Sequence, residues 1–217
     1  MGDANCPSCA DCSAGNCSRL DKSFPGFCPT VKMGADAVES CVAKYTENPV
    51  DHKIAITSAQ IESDFYCSAT RAEEILIFAK RMGYEKVGVA SCLGLIRECG
   101  LFARAARARG VNLYGVACKI GAVDKTRIGL EEERKLVPHS HESMCNPIMQ
   151  AETLNREGTD FNVIIGLCVG HDTLFIKHSK APVTYLIVKD RVLCHNPAAA
   201  LYNMDSYYSR LLRPDRQ

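Results

Sequence analysis

The cysteines are the residues of this chain whose spacing most directly indicates chemistry. Three of them end an apolar stretch, and a glycine follows each within two or three residues: Cys92 and Gly94, Cys118 and Gly121, Cys168 and Gly170. In an α/β protein the residues just past parallel strands emerge at one edge of the sheet, where ligands bind. Glycine allows the backbone to approach a bound group closely. The pattern therefore predicts a crevice lined by the three cysteines, with the three glycines beside a cofactor.

A fourth cysteine and a histidine are expected to join this crevice. Cys145 directly precedes an Asn-Pro pair, which is typical of a helix N-terminus, where the dipole and free N–H groups favour a thiolate. Four thiolates would suit an iron–sulfur cluster or zinc. His171 could donate a proton or act as a ligand beside Cys168, so these two are our candidate catalytic residues. Lys119 and Lys180 could attract an anionic substrate.

The alternative for each strand-end cysteine is a small buried residue, because free cysteine is among the most buried residue types. The threefold repetition, with Cys145 added, favours a shared second metal site over four separate core positions. We assign Cys41, Cys67 and Cys99 to packing, because they lie within or beside helical stretches, and Cys194 stays open.

A second cysteine group occupies residues 1–31. Few apolar residues accompany it, which indicates a segment that needs a metal to be ordered. The predicted ligands are Cys9, Cys12, Cys17 and Cys28. Cys6 opens an alternative run that approaches the ferredoxin pattern but has one residue too many before its last cysteine. Cys-x2-Cys spacing occurs in zinc modules and in iron–sulfur modules, so the metal stays open.

The periodicity of apolar residues predicts the elements that position these cysteines. We expect strands at 86–91, 112–117, 162–167 and 183–189, with a return strand at 191–194. Helices are expected over 95–109, from Pro147 to before Gly158, and after an N-cap at Asp172. Strands that alternate with crossover helices predict an α/β fold with a mainly parallel sheet of about four to five strands and flanking helices.

Three regions follow from this pattern. Residues 1–31 would form a small Cys-rich metal-binding module, residues 32–83 a helical segment that packs on the core, and residues 84–217 the α/β domain. In the helical segment, Thr70 and Glu73 form a capping box and Gly83 ends the helix. The long connection 119–144 would be a loop over the crevice edge.

Composition limits the classes of function. The chain has 217 residues, a net charge of +1 and thirteen cysteines, an odd number. The near-zero net charge gives no electrostatic case for nucleic acid or a membrane surface, and no apolar run approaches the length of a membrane helix. The N-terminus has no secretory pattern. We therefore expect a cytoplasmic protein whose thiols are reduced and serve metal or redox chemistry.

Several stretches resemble the domain of unknown function 1847 family, whose members are described as predicted metal-binding proteins. They are the N-terminal cysteine cluster, Lys86–Leu95, Cys145–Ala151, Gly166–Asp172 and Lys189–Pro197. The resemblance covers nearly the whole chain. It implies metal binding through cysteines and carries over no catalytic residues.

The sequence leaves three functional hypotheses. The first is an iron–sulfur protein with one or two clusters and redox or sulfur-transfer chemistry at the crevice, served by an electron donor protein and a small-molecule substrate. The second is a zinc-binding accessory or sensor protein without catalytic activity. The third, thiol–disulfide chemistry at Cys145 or Cys168, ranks last because the α/β region has no Cys-x2-Cys pair.

Overall fold

The computed structural model describes residues 7–213, so Cys6, the alternative ligand of the N-terminal module, lies outside the described residues. The chain divides into two compact units, Met1–Gln60 and Ile61–Gln217. The cysteine-rich segment belongs to the first unit together with helices, and the sheet belongs to the second.

The α-helices and strands follow one another in a simple order. In the first unit and across its boundary the helices are α1 (Asn16–Arg19), α2 (Pro29–Met33), α3 (Ala35–Glu47) and α4 (Pro49–Phe65). The second unit continues with α5 (Arg71–Met82), β1 (Val87–Ser91), α6 (Ile96–Ala108), β2 (Leu113–Ala117), α7 (Pro147–Arg156), β3 (Phe161–Ile165), α8 (His171–His178), β4 (Val183–Ile187) and α9 (Ala198–Tyr202).

The four strands form one parallel sheet in the order β2-β1-β3-β4. The two central strands, β1 and β3, are buried along their whole length, as expected for strands covered by helices on both faces. This confirms the predicted α/β fold and parallel sheet, and a helical region precedes it as expected.

Helices cover both faces of the sheet. On one face, α5 and α6 pack side chains such as Leu76 and Phe102 against Val89 of β1. On the other face, Leu154 of α7 and Phe175 of α8 pack against the opposite side of the strands. The resulting three layers bury the sheet and leave the carboxyl ends of its strands as the edge where a site can form.

Helix α5 begins and ends where its sequence predicts. The Thr70 side chain accepts a hydrogen bond from the N–H of Glu73, whose carboxylate accepts one in return from the N–H of Thr70. Gly83 ends the helix with a left-handed φ of 74°. Within residues 7–213, no helix combines the length and the apolar character that crossing a membrane requires.

Three local predictions are wrong. Residues 191–194 form turns instead of a return strand. Cys41 and Cys67 are exposed instead of packed, whereas Cys99 is buried as predicted. Asp172 is not the N-cap of α8, because that helix begins at His171 after Gly170.

The physical reasons differ in each case. The 191–194 stretch turns because the Asp190 side chain accepts the N–H groups of Val192 and Leu193, a local bond that competes with a strand ladder. Cys41 lies on α3, which buries none of its residues. Asp172 instead accepts a hydrogen bond from the Tyr185 hydroxyl at 3.0 Å.

Candidate functional site

The sheet brings two of the predicted cysteines level at its carboxyl edge. Ser91 at the end of β1 pairs in register with Ala117 of β2, so the next residues, Cys92 and Cys118, leave neighbouring strands together. The N–H of Cys118 donates to the carbonyl oxygen of Ser91 at 2.8 Å, and the N–H of Cys92 to that of Ile165 at 2.9 Å. These bonds extend the ladder by one residue and fix both cysteine backbones.

Cys145 meets Cys118 through the start of α7. The N–H of Asn146 donates to the Cys118 carbonyl at 2.7 Å, while the Asn146 side chain caps α7 by accepting the N–H of Met149. Cys145 packs against the buried cluster that contains Cys118, and each thiol shifts the pKa of the other. Two cysteines from distant parts of the chain therefore lie close together.

The two members of this pair differ in acidity. The interaction with Cys118 holds the pKa of Cys145 well below its usual range, and Lys119 and His171 act in the same direction. The interaction with Cys145, together with burial, raises the pKa of Cys118. These directions favour the thiolate form at Cys145 and the protonated form at Cys118. The N–H of Leu93 also donates to Sγ of Cys118, at 3.3 Å.

Cys168 lies beyond the end of β3 and has a cationic partner. Nη2 of Arg191 lies 3.0 Å from Sγ of Cys168 and donates a hydrogen bond to it. This bond raises the pKa of Arg191, and the nearby Cys92 and Cys145 contribute in the same direction. All four predicted crevice cysteines therefore lie near one another at the carboxyl edge of the sheet.

His171 stands beside this group at the first residue of α8. Its N–H donates to the Cys168 carbonyl at 2.9 Å, which fixes the turn between the two residues. Within residues 7–213, Nδ1 of His171 is buried and has no hydrogen-bond partner. A buried ring nitrogen without a partner is available to a ligand or to a proton in transit.

A cavity of about 290 Å³ opens next to these groups. Its lining includes Cys145, Cys168, His171, Lys119 and Arg191. The other lining residues come from the 119–144 connection and are Lys125, Ile128, Leu130, Leu136, Glu142 and Met144. The predicted loop over the crevice edge is therefore part of the cavity wall. Lys180 is not among the lining residues, so only one of the two predicted anion-attracting lysines reaches the cavity.

A buried lysine organises that loop. The Lys135 side chain is 2% exposed and bonds Asp124, Glu132 and the carbonyl of Ser140. Asp124 also accepts the N–H groups of Thr126 and Glu142. The Thr126 N–H, followed by Lys135, holds the Asp124 pKa below its usual range. The loop is thus held by a network centred on Asp124 and Lys135.

Two groups of the site were missed at the level of sequence. Arg191 falls within the predicted return strand at 191–194, which gives no reason to expect it at the crevice. The pairing of Cys118 with Cys145 was included only as part of a larger set of four. The sequence signal for this pairing is Asn146, because an N-cap residue marks the start of the helix and so fixes the position of Cys145 just before it.

The predicted cofactor glycines have different surroundings. A Cβ at Gly94 would lie 3.8 Å from Sγ of Cys92, so this glycine borders the crevice. Gly121 and Gly170 both have positive φ, 87° and 85°, so their turns require a glycine-like backbone. A Cβ at Gly121 would come 3.0 Å from Sδ of Met149, while Gly170 faces open space.

The thiol and imidazole side chains of the crevice are ligands that suit a soft metal. Their present positions, however, do not form a coordination sphere. Among the residues that the structure describes, no three or more His, Cys, Asp or Glu side chains are grouped closely enough to hold a metal ion. This holds for the crevice and for the described N-terminal cysteines. Binding a metal with three or four ligands would therefore require side chains to rotate.

In the N-terminal segment, the four described candidates differ in exposure. Cys28 is buried, Cys12 is half-buried, and Cys9 and Cys17 are exposed. The side chain of Thr30 holds the pKa of the Cys28 thiol below its usual range. Metal binding by this set stays a prediction.

Comparison with known proteins assigns the chain to a family. Residues 28–186 match the model of the family described as protein of unknown function (DUF1847). The chain belongs to this family. The matched span includes Cys92, Cys118, Cys145, Cys168 and His171, whereas Arg191 lies beyond it. The predicted resemblance is therefore confirmed.

A similar protein is known from an archaeon. An uncharacterized protein of Methanocaldococcus jannaschii is 43% identical over 197 residues, which cover 90% of this chain and 97% of the relative. The two chains are thus alike over nearly their whole lengths.

Proposed function

We propose that this protein carries out thiol–disulfide exchange on a small molecule in the crevice cavity, with Cys145 as the attacking thiolate and Cys118 as the resolving thiol. The observation that carries the proposal is the proximity of the two cysteines at the carboxyl edge of the sheet: Cys145 packs against the buried cluster that contains Cys118, the next residue, Asn146, bonds the Cys118 carbonyl, and Cys145 lines the cavity. The absence of Cys-x2-Cys does not count against it, because the fold joins two cysteines that are distant in sequence.

The reaction proceeds in two steps that balance. The Cys145 thiolate attacks one sulfur of a substrate disulfide, the substrate S–S bond breaks, and one substrate thiolate leaves. Cys118 then attacks Sγ of Cys145 in the mixed disulfide, and its proton passes to the second substrate thiolate, which leaves as a thiol. Two electrons pass from the protein dithiol to the substrate, and a Cys118–Cys145 disulfide remains. An external dithiol reductant restores both thiols.

Nearby side chains support each step. Lys119 and His171 favour the thiolate form of Cys145, which is the nucleophilic form. Nδ1 of His171 is buried without a partner among the described residues, so the ring can hold a proton for the leaving thiolate. Burial of Cys118 keeps its proton in place until the mixed disulfide forms.

Peptide mapping after controlled oxidation tests the proposal. Reduced, metal-free protein is treated with one equivalent of a small disulfide, alkylated and digested. We expect one dominant linkage, Cys118–Cys145, with release of two equivalents of small thiol. Cys118→Ser should stop at the mixed disulfide on Cys145, while Cys41→Ser, a change at an exposed cysteine of the other unit, should behave like the parent protein. Dominant linkage of any other cysteine pair contradicts the proposal.

A second candidate is a cysteine-ligated metal centre, iron–sulfur or zinc, and the grouping of four thiols at one edge supports it. Cys92, Cys118, Cys145 and Cys168 would hold the metal, with Arg191 and Lys119 offsetting the thiolate charge. A bound cluster would supply one-electron redox chemistry, and bound zinc a Lewis acid or a purely structural link. Cys9, Cys12, Cys17 and Cys28 are the corresponding candidates in the first unit.

Metal analysis of anaerobically purified protein tests this candidate. Iron, sulfide and zinc are quantified in the parent chain, in a Cys118→Ser/Cys145→Ser variant and in a Cys9→Ser/Cys12→Ser variant. Metal that depends on the first pair supports a crevice centre, and metal that depends on the second pair supports the N-terminal module. A parent chain without stoichiometric metal rules out both centres.

A further inference from the structure

We infer that the crevice cavity selects small anions with a short aliphatic body, such as a carboxylate-bearing disulfide. This inference rests on the proposed function, because it names the substrate class of the same site. It is carried by the charges and the apolar wall of the cavity, which are independent of the thiol pair.

The lysine, arginine and glutamate side chains of the lining carry a net positive charge. Lys125 and Glu142 form an ion pair with each other, so they contribute little net charge. Lys119 donates to the Ser143 carbonyl, and Arg191 donates to Cys168; neither contact involves a carboxylate. Two cations without a carboxylate partner therefore line the cavity, and their charge favours a small anionic ligand.

The aliphatic part of the lining is only partly covered. Ile128, Leu130, Leu136 and Met144 belong to it. Ile128 and Leu136 are 67% and 88% exposed and leave apolar surface that a ligand can cover. A ligand with a few methylene groups would cover this surface and remove it from water, which favours binding.

The size of the cavity limits the ligand. A volume of about 290 Å³ lies at the lower end of the range of small-molecule sites. A small organic acid fits this volume and charge. A nucleotide exceeds both, because it carries several negative charges and a larger body. The disulfide or thiol of the ligand would face Cys145, and its carboxylate would face Lys119 and Arg191.

Paired alkylation with a charged and a neutral reagent tests the inference. Reduced, metal-free protein is reacted with iodoacetate or iodoacetamide at low ionic strength, and peptide mapping gives the rate at each cysteine. Cys41 is exposed in the other unit and serves as the internal reference. We expect the iodoacetate-to-iodoacetamide rate ratio at Cys145 to exceed that at Cys41 by roughly fivefold, and to fall towards it in about 0.5 M salt.

Substitutions of the lining cations test whether the raised rate ratio at Cys145 depends on the cavity. Lys119→Met and Arg191→Gln should each lower the ratio at Cys145 towards the reference. Arg134→Gln removes an equal charge from an exposed position of the same loop, outside the lining residues, and should leave the ratio unchanged. Equal ratios at Cys145 and Cys41 in the parent protein overturn the inference. If Cys145 reacts no faster than Cys41 with either reagent, the proposed thiol function fails instead, and the ratio still reports on the anion site.

Discussion

Arg191 donates a hydrogen bond from Nη2 to Sγ of Cys168 across 3.0 Å. The bond joins the turn that follows β4 to the segment that follows β3, so it connects two sides of the crevice edge. Because the pair is exposed, its contribution to global stability is small, about 1 kcal/mol or less. Its consequence is local, since it sets where the 188–197 segment lies relative to the cysteines.

We predict that Arg191→Gln increases amide hydrogen exchange in residues 188–197 by several-fold, without changing exchange in β1 or β3. The thermal midpoint should move by no more than a few degrees. Exchange followed by peptide mass spectrometry measures both regions together. Arg127→Gln, an exposed charge change elsewhere in the second unit, is the control and should alter neither. Unchanged exchange in 188–197 would show that the guanidinium does not hold this segment.

A second prediction concerns the pH dependence of Cys145 alkylation. Its lowered pKa means that the thiolate persists as the pH falls from 8 towards 6, whereas an ordinary thiol, with a pKa of about 8.5, loses reactivity over this range. The rate with iodoacetamide should therefore stay nearly constant between about pH 7 and 8.

Two substitutions of its partner sharpen this measurement. Cys118→Ala removes the donor and should move the profile of Cys145 to higher pH, while Cys118→Ser keeps a donor and should move it less. A profile at Cys145 that matches a free thiol in the parent chain would contradict the assignment of the thiolate.

A third prediction concerns the loop network. The Asp124 pKa is lowered in the folded chain, so its stabilising contribution is fully present above the unfolded value of about 3.9 and is lost as the pH falls through the lowered value. Protection of residues 119–144 from protease should therefore hold at pH 7 and decline below about pH 4.

Asp124→Asn should weaken that protection already at pH 7, by roughly tenfold in cleavage rate, because Lys135 would be left buried with one carboxylate fewer. Glu133→Gln, at an exposed position of the same loop, is the matched control. Equal cleavage of the two variants at pH 7 would argue against a network that holds the loop.

A fourth prediction concerns Gly166, which follows β3. Its φ is 63°, and a Cβ there would lie 1.9 Å from Cδ1 of Leu95. Gly110 has a similar φ of 71° but open space around it. Gly110→Ala should cost about 1 kcal/mol from backbone strain alone, and Gly166→Ala about 2–4 kcal/mol, because overpacking adds to the strain. Urea denaturation measures both, and equal losses would show that Leu95 moves aside freely.

The sheet edge could be predicted from sequence because it depends only on local patterns. Apolar runs that alternate with helical stretches define parallel strands, and parallel strands place Cys92 and Cys118 at the same edge whatever else the chain does. The position of Cys145 could be predicted in the same way, since the Asn-Pro pair after it marks a helix start. Local chemistry and chain direction were sufficient for these three residues.

The remaining parts depend on tertiary contacts that no local pattern encodes. The sequence correctly places Cys41 in a helical stretch, but it does not say what covers that helix, and α3 buries none of its residues. Arg191 reaches Cys168 only because the 191–194 stretch turns instead of extending. The acidity of Cys145 depends on a neighbour, Cys118, that is close in space and distant along the chain.

The four crevice cysteines lie beside four different elements of the second unit: three follow strands, and Cys145 precedes α7. In the nascent or denatured chain they are far apart, so the crevice can assemble only after the strands have paired, and pairing of such distant segments is slow. An oxidant that acts before this point would join whichever of the thirteen thiols meet first. Production of the native protein thus requires that folding finish under reducing conditions, and reoxidation from the denatured state should give scrambled, aggregation-prone material instead of the native pair.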